Sequence, residues 1–187
     1  MGIAYKNFWS LNIDEAIVAG ILRNKLSKNL EVFMPVNAQM KGIDLCILNI
    51  QNKKIKTIQV KGSRAYEPSP GEVKKWTHGS AGWFFFPTEV ITKATADYFV
   101  FLIYVITEKP KTGRRVLESH TLTIPTKKLR ELCDSYKKAH GSKRYSFKFW
   151  VNPLKKESFD FRDKNHYNVS EYLDEKGFEN IIKDLGS

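Results

Sequence analysis

Cysteine is scarce in this chain, with only Cys46 and Cys133 among 187 residues. Their spacing matches neither a disulfide framework nor a zinc site, so both are expected to be reduced, buried thiols. Long apolar runs are also missing, since the longest, 98–106, is far too short to span a membrane. The first residues lack the charged start and apolar core of a signal peptide. We therefore expect a cytoplasmic protein without a membrane partner.

Acidic residues are outnumbered, because 20 Asp and Glu stand against 31 Lys and Arg, for a net charge of +11. Such a surplus favours a polyanionic partner, most often nucleic acid, although a lysine-rich soluble surface is the alternative. Residues 1–156 hold 27 of the basic and 12 of the acidic residues, whereas 157–187 hold 4 and 8. The basic body is the expected contact surface, and the acidic tail either lies away from it or packs across it.

The short motifs of several large enzyme families are absent as well. The chain contains no GxxxxGK[ST] loop, no GxGxxG after a strand, no HExxH and no GxSxG. These absences argue against the common nucleotide-binding, zinc-protease and serine-hydrolase sites. No small-molecule cofactor is expected.

Apolar periodicity predicts a single mixed α/β domain over 1–187, with a central mixed sheet flanked by helices. The predicted strands are 31–36, 43–50, 55–62, 97–106, 116–124 and 145–151. Helices are predicted at 12–26, at 126–139 and after Ser170, which can cap the last one. The connection 63–96 is long enough that it either has a function or contains short elements of its own.

The most informative stretch is 42–64, GIDLCILNIQNKKIKTIQVKGSR, which reads as two strands joined by a polar turn. Gln59 and Lys61 share one face because side chains alternate along a strand. A turn centred on Asn52-Lys53 would place Asp44 opposite residue 60 or 61. An acid, an amide oxygen and an ammonium then converge at one end of the hairpin, which suits a hard divalent cation beside a phosphodiester.

Each of these side chains also has a purely structural interpretation. Asp44 lies in an apolar strand and needs either a cation or hydrogen bonds, which loop amides can supply. Glu15 lies on the apolar face of the first helix, where it can point at the sheet or complete a capping box with Asn12. Lys61 and Gln59 can be solvated side chains of an edge strand.

The chain resembles the PD-(D/E)XK nuclease superfamily, which has the restriction endonuclease-like fold, in the order of Glu15, Asp44 and Gln59-Val60-Lys61. The family core runs helix, three strands, helix, strand; its second-strand acid matches Asp44, and its acidic-x-lysine matches Gln59-Val60-Lys61. A helix glutamate that joins the site in archaeal Holliday-junction resolvases matches Glu15. The chain departs from the family at Gln59, where Glu or Asp is usual. The resemblance covers 10–64 closely and 97–139 only in element order.

The resemblance implies a metal-dependent endonuclease that hydrolyses DNA phosphodiester bonds, of a restriction, repair or junction-cleaving type. Mg²⁺, or Mn²⁺ in its place, would rest on Asp44, the Gln59 amide oxygen, the Val60 carbonyl and Glu15, while Lys61 stabilises developing charge. One metal ion is expected rather than two. A homodimer is common in such folds because two DNA strands need two sites. A non-catalytic nucleic-acid-binding module and an accessory nuclease subunit are the alternatives.

Residues outside the motif are candidates for contact with nucleic acid. Arg64 follows the motif directly and can reach a phosphate. Basic side chains of the hairpin and of a later turn are either phosphate contacts or ordinary surface charges: Lys53, Lys54, Lys56, Lys109, Lys111, Arg114 and Arg115. The aromatic run 83–86 reads as a core strand or as a surface that stacks on bases. His78 is a candidate general base or an ordinary loop histidine.

Overall fold

The computed structural model describes residues 12–35, 42–76, 78–108, 112–140, 143–162 and 166–186, with only the backbone at 108 and 135–140. The expectations for Val36, Lys109 and Lys111 lie outside the described residues. Among the described helices, none has the length and apolar character needed to span a bilayer.

Helix α1 (Ile13–Lys25) precedes the strands β1 (Leu30–Phe33), β2 (Leu45–Asn49) and β3 (Ile55–Gly62). The long connection contains three short elements, α2 (Pro70–Trp76), β4 (Ser80–Pro87) and α3 (Glu89–Thr92). The next elements are β5 (Tyr98–Glu108), β6 (Arg115–Pro125) and α4 (Thr126–His140). The last are β7 (Arg144–Asn152), β8 (Glu157–Asp160), β9 (Tyr167–Asn168), a 3₁₀ turn (Ser170–Tyr172) and α5 (Asp174–Leu185).

The strands of the described chain form two sheets. The first has the order β1-β2-β3-β5-β6 and is mixed, because β3 and β5 are parallel and the other neighbours are antiparallel. The second has the order β4-β7-β8-β9 and is antiparallel. The predicted α/β class is confirmed. The first sheet is a mixed sheet with helices against it, as predicted, and the strand predicted at 145–151 belongs to the second sheet, where it pairs with β4.

Helices α1 and α5 cover one face of the first sheet. Val18 of α1 and Ile181 of α5 pack in one buried cluster with Ile58 of β3. Burial of each such aliphatic side chain stabilises the fold by about 1.5–3 kcal/mol. Helix α1 starts where the side chain of Asn12 accepts a hydrogen bond from the Asp14 N–H at 3.1 Å, which confirms Asn12 as the cap.

The opposite face of the first sheet packs against the second sheet. Phe99 and Phe101 of β5 lie in this second core, and the rings of Phe101 and Phe84 are 4.9 Å apart. Gln59 pairs with Phe99 and Lys61 with Phe101 in the parallel register. Since paired residues of neighbouring strands point to the same face, Gln59 and Lys61 point to the side of the second sheet.

The acidic end of the chain packs across the basic body, which is the second of the two placements expected for it. Asp184 Oδ2 of α5 lies 3.0 Å from Lys56 Nζ, and Glu175 forms an ion pair with Lys25. Ser170 was expected to cap a final helix or a pair of helices; a pair of helical segments is present, but Ser170 caps neither of them. Its hydroxyl instead accepts a hydrogen bond from the backbone of β8, and α5 begins four residues later.

Candidate functional site

Asp44 stands immediately before β2, where the pairing of β2 with β3 ends at Leu45 and Ile58. The Val60 N–H of β3 lies beyond that pair and donates to Asp44 Oδ2 at 2.7 Å. The Asp44 N–H donates to the Ile58 carbonyl at 2.8 Å. The carboxylate therefore has a structural role, because it accepts a hydrogen bond from β3 beyond the last backbone pair of the two strands. In the described chain it has no second hydrogen-bond partner, so its other oxygen is open to a ligand.

The Gln59 amide lies beside Asp44 and is 8% exposed. Its Oε1 is buried and has no hydrogen-bond partner in the described residues. Its Nε2 lies 3.8 Å from the position that a Cβ on Gly42 would take, and Gly42 has a φ of 85°, which favours glycine. An unpaired buried polar group costs about 1–3 kcal/mol. A ligand that pairs Gln59 Oε1 would remove that cost.

Lys61 is half-buried two residues beyond Gln59 on the same face of β3. Burial lowers the pKa of its ammonium, and the negative charges of Asp44 and Glu15 oppose that shift. Among the described residues the ammonium forms neither a salt bridge nor a hydrogen bond. It is therefore a cation held near two carboxylates and available to an anionic ligand.

Glu15 reaches this group from the helix side of the sheet. Its side chain is 6% exposed and sits on the buried face of α1 with Val18 and Leu22. Gln59 and Lys61 point to the other side of the sheet. Glu15 therefore acts on this group through the electrostatic effect of its charge on Lys61. The structure thus brings Asp44, Gln59 and Lys61 together on one face and places Glu15 behind them.

The register of the hairpin differs by one or two residues from the prediction. Leu45 pairs with Ile58, so continuing the ladder sets Asp44 opposite Gln59 rather than residue 60 or 61. The cause lies in the turn, which starts early because the Asn49 side chain accepts hydrogen bonds from the N–H groups of residues 51 and 52, and Lys53 has a left-handed φ of 61°.

The predicted phosphate contacts of the hairpin lie at the other end of β3. Lys56 pairs with Asp184 at 3.0 Å, and Lys53 and Lys54 are exposed in the turn. Lys56 and Lys61 are five residues apart along the strand, which corresponds to about 17 Å. The three hairpin lysines therefore form a surface separate from the Asp44 group, and their contact with nucleic acid stays a prediction.

Arg64, Arg114 and Arg115 lie towards the same end of the sheet as Lys61, because β5 runs parallel to β3 and leads into the turn before β6. All three side chains are exposed. Arg115 Nη2 lies 2.7 Å from Glu67 Oε1, so part of its charge is balanced. Of the three, Arg64 is nearest to the Asp44 group along the chain. Arg115 pairs with Glu108, seven residues beyond the Phe101 that pairs with Lys61, which corresponds to about 23 Å. Contact of these arginines with a phosphate backbone stays a prediction.

The aromatic run forms a strand of the core, which is one of its two predicted interpretations, and its contact with bases stays a prediction. Phe84 and Phe86 of β4 are buried in the core between the sheets, whereas Trp83 and Phe85 are 39% and 61% exposed. His78, the candidate general base, is exposed, and its backbone carbonyl accepts a hydrogen bond from the Trp150 indole at 3.3 Å. No described contact joins the His78 side chain to the Asp44 group.

A second arrangement of functional side chains escaped the sequence analysis. His120 Nδ1 of β6 lies 2.8 Å from Asp174 Oδ2 at the start of α5, beside a cavity of about 450 Å³. The same carboxylate accepts a hydrogen bond from the Thr121 N–H at 2.8 Å. No sequence signal connects residues 54 positions apart, so this pair appears only once α5 folds over β6.

Carboxylates are few around the Asp44 group. The described residues contain no cluster of three or more His, Cys, Asp or Glu side chains that could hold a metal ion. Comparison with family models, with curated proteins and with solved structures finds no match to this chain. The functional interpretation therefore depends on the chemistry of the residues themselves.

Proposed function

We propose that the chain is a metal-dependent nuclease that hydrolyses phosphodiester bonds in DNA. The observation that carries the proposal is the convergence of Asp44, Gln59 and Lys61 where β2 ends beside β3. A carboxylate, an unpaired buried amide oxygen and an available ammonium suit cation-assisted reaction at a phosphate. The net charge of +11 supports a polyanionic substrate.

The topology supports a restriction endonuclease-like arrangement. Helix α1 and strands β1 to β3 follow one another as in the family core, and β5 then pairs in parallel with β3. The insertion of β4, which joins the second sheet, is a departure from that core.

Mg²⁺ fits the oxygen atoms of this group. Asp44 offers a carboxylate and Gln59 an amide oxygen, and the Val60 carbonyl points to the same side as the N–H that Asp44 accepts. Glu15, the other expected ligand, lies on the helix side of the sheet, so Asp44 supplies the one carboxylate, and Mg²⁺ held by so few carboxylates keeps several waters. Mn²⁺ takes the same ligands. The chemistry that the ion supplies is polarisation of the phosphate and a water of lowered pKa.

The protein itself would contribute charge stabilisation and orientation of the metal ligand. Lys61 would donate to the phosphate oxygen on which negative charge develops, and the charges of Asp44 and Glu15 partly oppose the lowering of its pKa by burial. The Val60 N–H fixes the orientation of the Asp44 carboxylate. Removal of one preorganised contact of this kind slows a reaction about 10²–10³-fold.

A non-catalytic nucleic-acid-binding module is the second candidate, and Gln59 is the observation that favours it. An amide at this position removes one negative charge from the group, and the described residues offer no third carboxylate in its place. An accessory subunit that cuts only with a partner has the same basis. Both predict salt-sensitive binding of DNA without cleavage by the isolated chain.

The test is cleavage of supercoiled plasmid, a four-way junction and single-stranded DNA in Mg²⁺, Mn²⁺ or EDTA. Asp44→Asn is the informative variant because its side chain still accepts from the Val60 N–H but loses the charge. Glu89→Gln, which changes an exposed acid of α3, is the matched control. We expect metal-dependent cutting that Asp44→Asn abolishes and the control retains.

Two results would contradict the nuclease proposal. Cutting that survives in Asp44→Asn would come from a different site or a contaminant. No cutting of any substrate, together with binding that weakens steeply as salt rises, would favour the binding module. Cutting that appears only when a second protein is added would favour the accessory subunit.

A further inference from the structure

An open aromatic surface lies on the outer face of the second sheet. Along β4 the side chains alternate, so Phe84 and Phe86 face the core while Trp83 and Phe85 face outward. Two large exposed aromatic side chains at consecutive outward positions form a surface that water solvates poorly. We name Tyr66, Trp83 and Phe85 the aromatic platform.

The platform is held in place by neighbours of both charges. Tyr66 and Trp83 have ring centroids 5.6 Å apart, and Trp83 and Phe85 are 6.4 Å apart. Lys148 of β7 lies over the Trp83 ring at 4.1 Å. The Tyr66 hydroxyl donates to Glu72 Oε2 at 2.8 Å, which fixes that ring against α2. The rings therefore have defined positions, as a preformed binding surface requires.

The same face is covered at its other end. Trp76 of α2 packs on Trp150, Phe159 and Phe161, with centroid distances of 6.2, 5.9 and 6.0 Å. Trp83 and Phe85 keep 39% and 61% of their surface exposed. The aromatic layer thus continues from a covered half to an open half.

The platform is joined to the candidate site by a short stretch of chain, and Trp83 and Phe85 themselves face away from the first sheet. Tyr66 follows Lys61 by five residues, which span at most about 18 Å. Exposed Arg64 lies between them. Gly82, next to Trp83, packs on Ile103 of β5, the strand beside β3, and a Cβ there would lie 2.7 Å from the Ile103 side chain.

We propose that the aromatic platform binds an unpaired segment of single-stranded DNA by stacking its bases, with Lys148 and Arg64 at the phosphates. Aromatic rings interleaved with basic side chains are the means by which proteins bind single strands without reading their sequence. The net charge of +11 complements such a strand. The inference extends the proposed nuclease function, because it names DNA with unpaired bases as the substrate of the Asp44 site.

Binding of fluorescein-labelled dT20 in EDTA tests the platform without any cleavage. The variant is Trp83→Ala with Phe85→Ala. Leu154→Ala, which removes a 73% exposed apolar side chain in the turn between β7 and β8, is the matched control. We expect the double variant to bind dT20 about 10-fold or more weakly, and blunt duplex as the parent does. A second variant, Trp83→Phe with Phe85→Tyr, keeps the rings and is expected to restore dT20 binding.

Equal dT20 affinity of the double variant and the Leu154→Ala control would overturn the platform. An equal loss of dT20 and duplex affinity in the double variant would also overturn it. A dimer that is seen in sedimentation and that the double variant dissociates would overturn it too, since the surface would then join two copies of the chain. Failure of the nuclease proposal gives a different result. If no substrate is cut in the presence of metal but dT20 binding still needs Trp83 and Phe85, the platform is part of a binding module.

Discussion

The carboxylate of Asp14 occupies the space in which a side chain on Gly62 would begin. A Cβ at Gly62 would lie 1.8 Å from Asp14 Oδ2, and the other carboxylate oxygen accepts a hydrogen bond from the Tyr104 hydroxyl at 2.9 Å. The start of α1 therefore touches the end of β3, one residue beyond Lys61. Only glycine permits this approach.

Gly62→Ala is expected to destabilise the protein by about 1–3 kcal/mol, because the methyl group must displace Asp14 and break its bond to Tyr104. The free energy of unfolding from urea titration measures the loss. Asp14→Ala should make Gly62→Ala less costly in the double variant, since the obstacle is gone. Gly20→Ala is the matched control: nothing lies within 4 Å of that position in α1, so the change should stabilise by about 0.5–1 kcal/mol. Equal costs of Gly62→Ala with and without Asp14 would refute the clash.

Lys61 makes a prediction about the pH dependence of cleavage. Burial lowers the pKa of its ammonium despite the opposing charges of Asp44 and Glu15. Cleavage that needs the charged form must therefore decline as pH rises through a value below the ordinary 10.5. Lys61→Arg keeps its charge and should lose this decline, whereas Lys61→Ala should cut about 10²–10³-fold more slowly throughout. Single-turnover cleavage rates measured against pH test this. If the rate of Lys61→Arg still declines at high pH as the parent's does, Lys61 is not the source of the decline.

The unpaired oxygen of Gln59 predicts opposite effects of two substitutions on thermal stability. Gln59→Leu removes a buried polar group and should stabilise the metal-free protein by about 1 kcal/mol. Gln59→Glu adds a buried charge next to Asp44 and should destabilise it at neutral pH, with Mg²⁺ restoring the loss. Thermal unfolding with Mg²⁺ and with EDTA measures both. A destabilising Gln59→Leu would mean that the amide oxygen already has a partner.

The Asp184 carboxyl predicts an acid-dependent contribution to stability. Burial would raise its pKa, but hydrogen bonds from Tyr98 and Lys56 outweigh burial and hold the pKa below the ordinary value. Its stabilisation is therefore present above about pH 4 and disappears as pH falls through the lowered pKa. Asp184→Asn should cost about 1 kcal/mol at pH 7 and almost nothing near pH 2. Urea unfolding at both pH values measures this loss, with Glu179→Gln on the exposed side of α5 as the matched control.

Local patterns predicted the elements that carry the site. The alternation in 55–62 gave β3 with its observed bounds, and the apolar face of 12–26 gave α1 to within one residue at each end. The common face of Gln59 and Lys61 also follows from alternation alone. What failed locally was the register, because the Asn49 side chain starts the turn early.

Long-range pairing was beyond the reach of the sequence. Alternation predicts β7, and the aromatic run 83–86 suggests a core strand, but neither pattern says that Trp83 lies opposite Lys148, 65 residues away. The same limit applies to Lys56, whose partner Asp184 comes from the last helix. Residue type and spacing thus located the chemistry of the site, and only the folded chain showed which basic side chains remain available to a ligand.

Strand β3 is supported by helices from opposite ends of the described sequence. Ile58 packs with Val18 of α1 and Ile181 of α5, and the carbonyl of Leu185 holds the turn of the hairpin through Asn49 and Asn52. During synthesis on the ribosome, the chain completes the strand long before it makes residues 174–185. The packing of β3 and the support of its turn are therefore complete only after residues 174–185 have been made and α5 has folded onto the sheet.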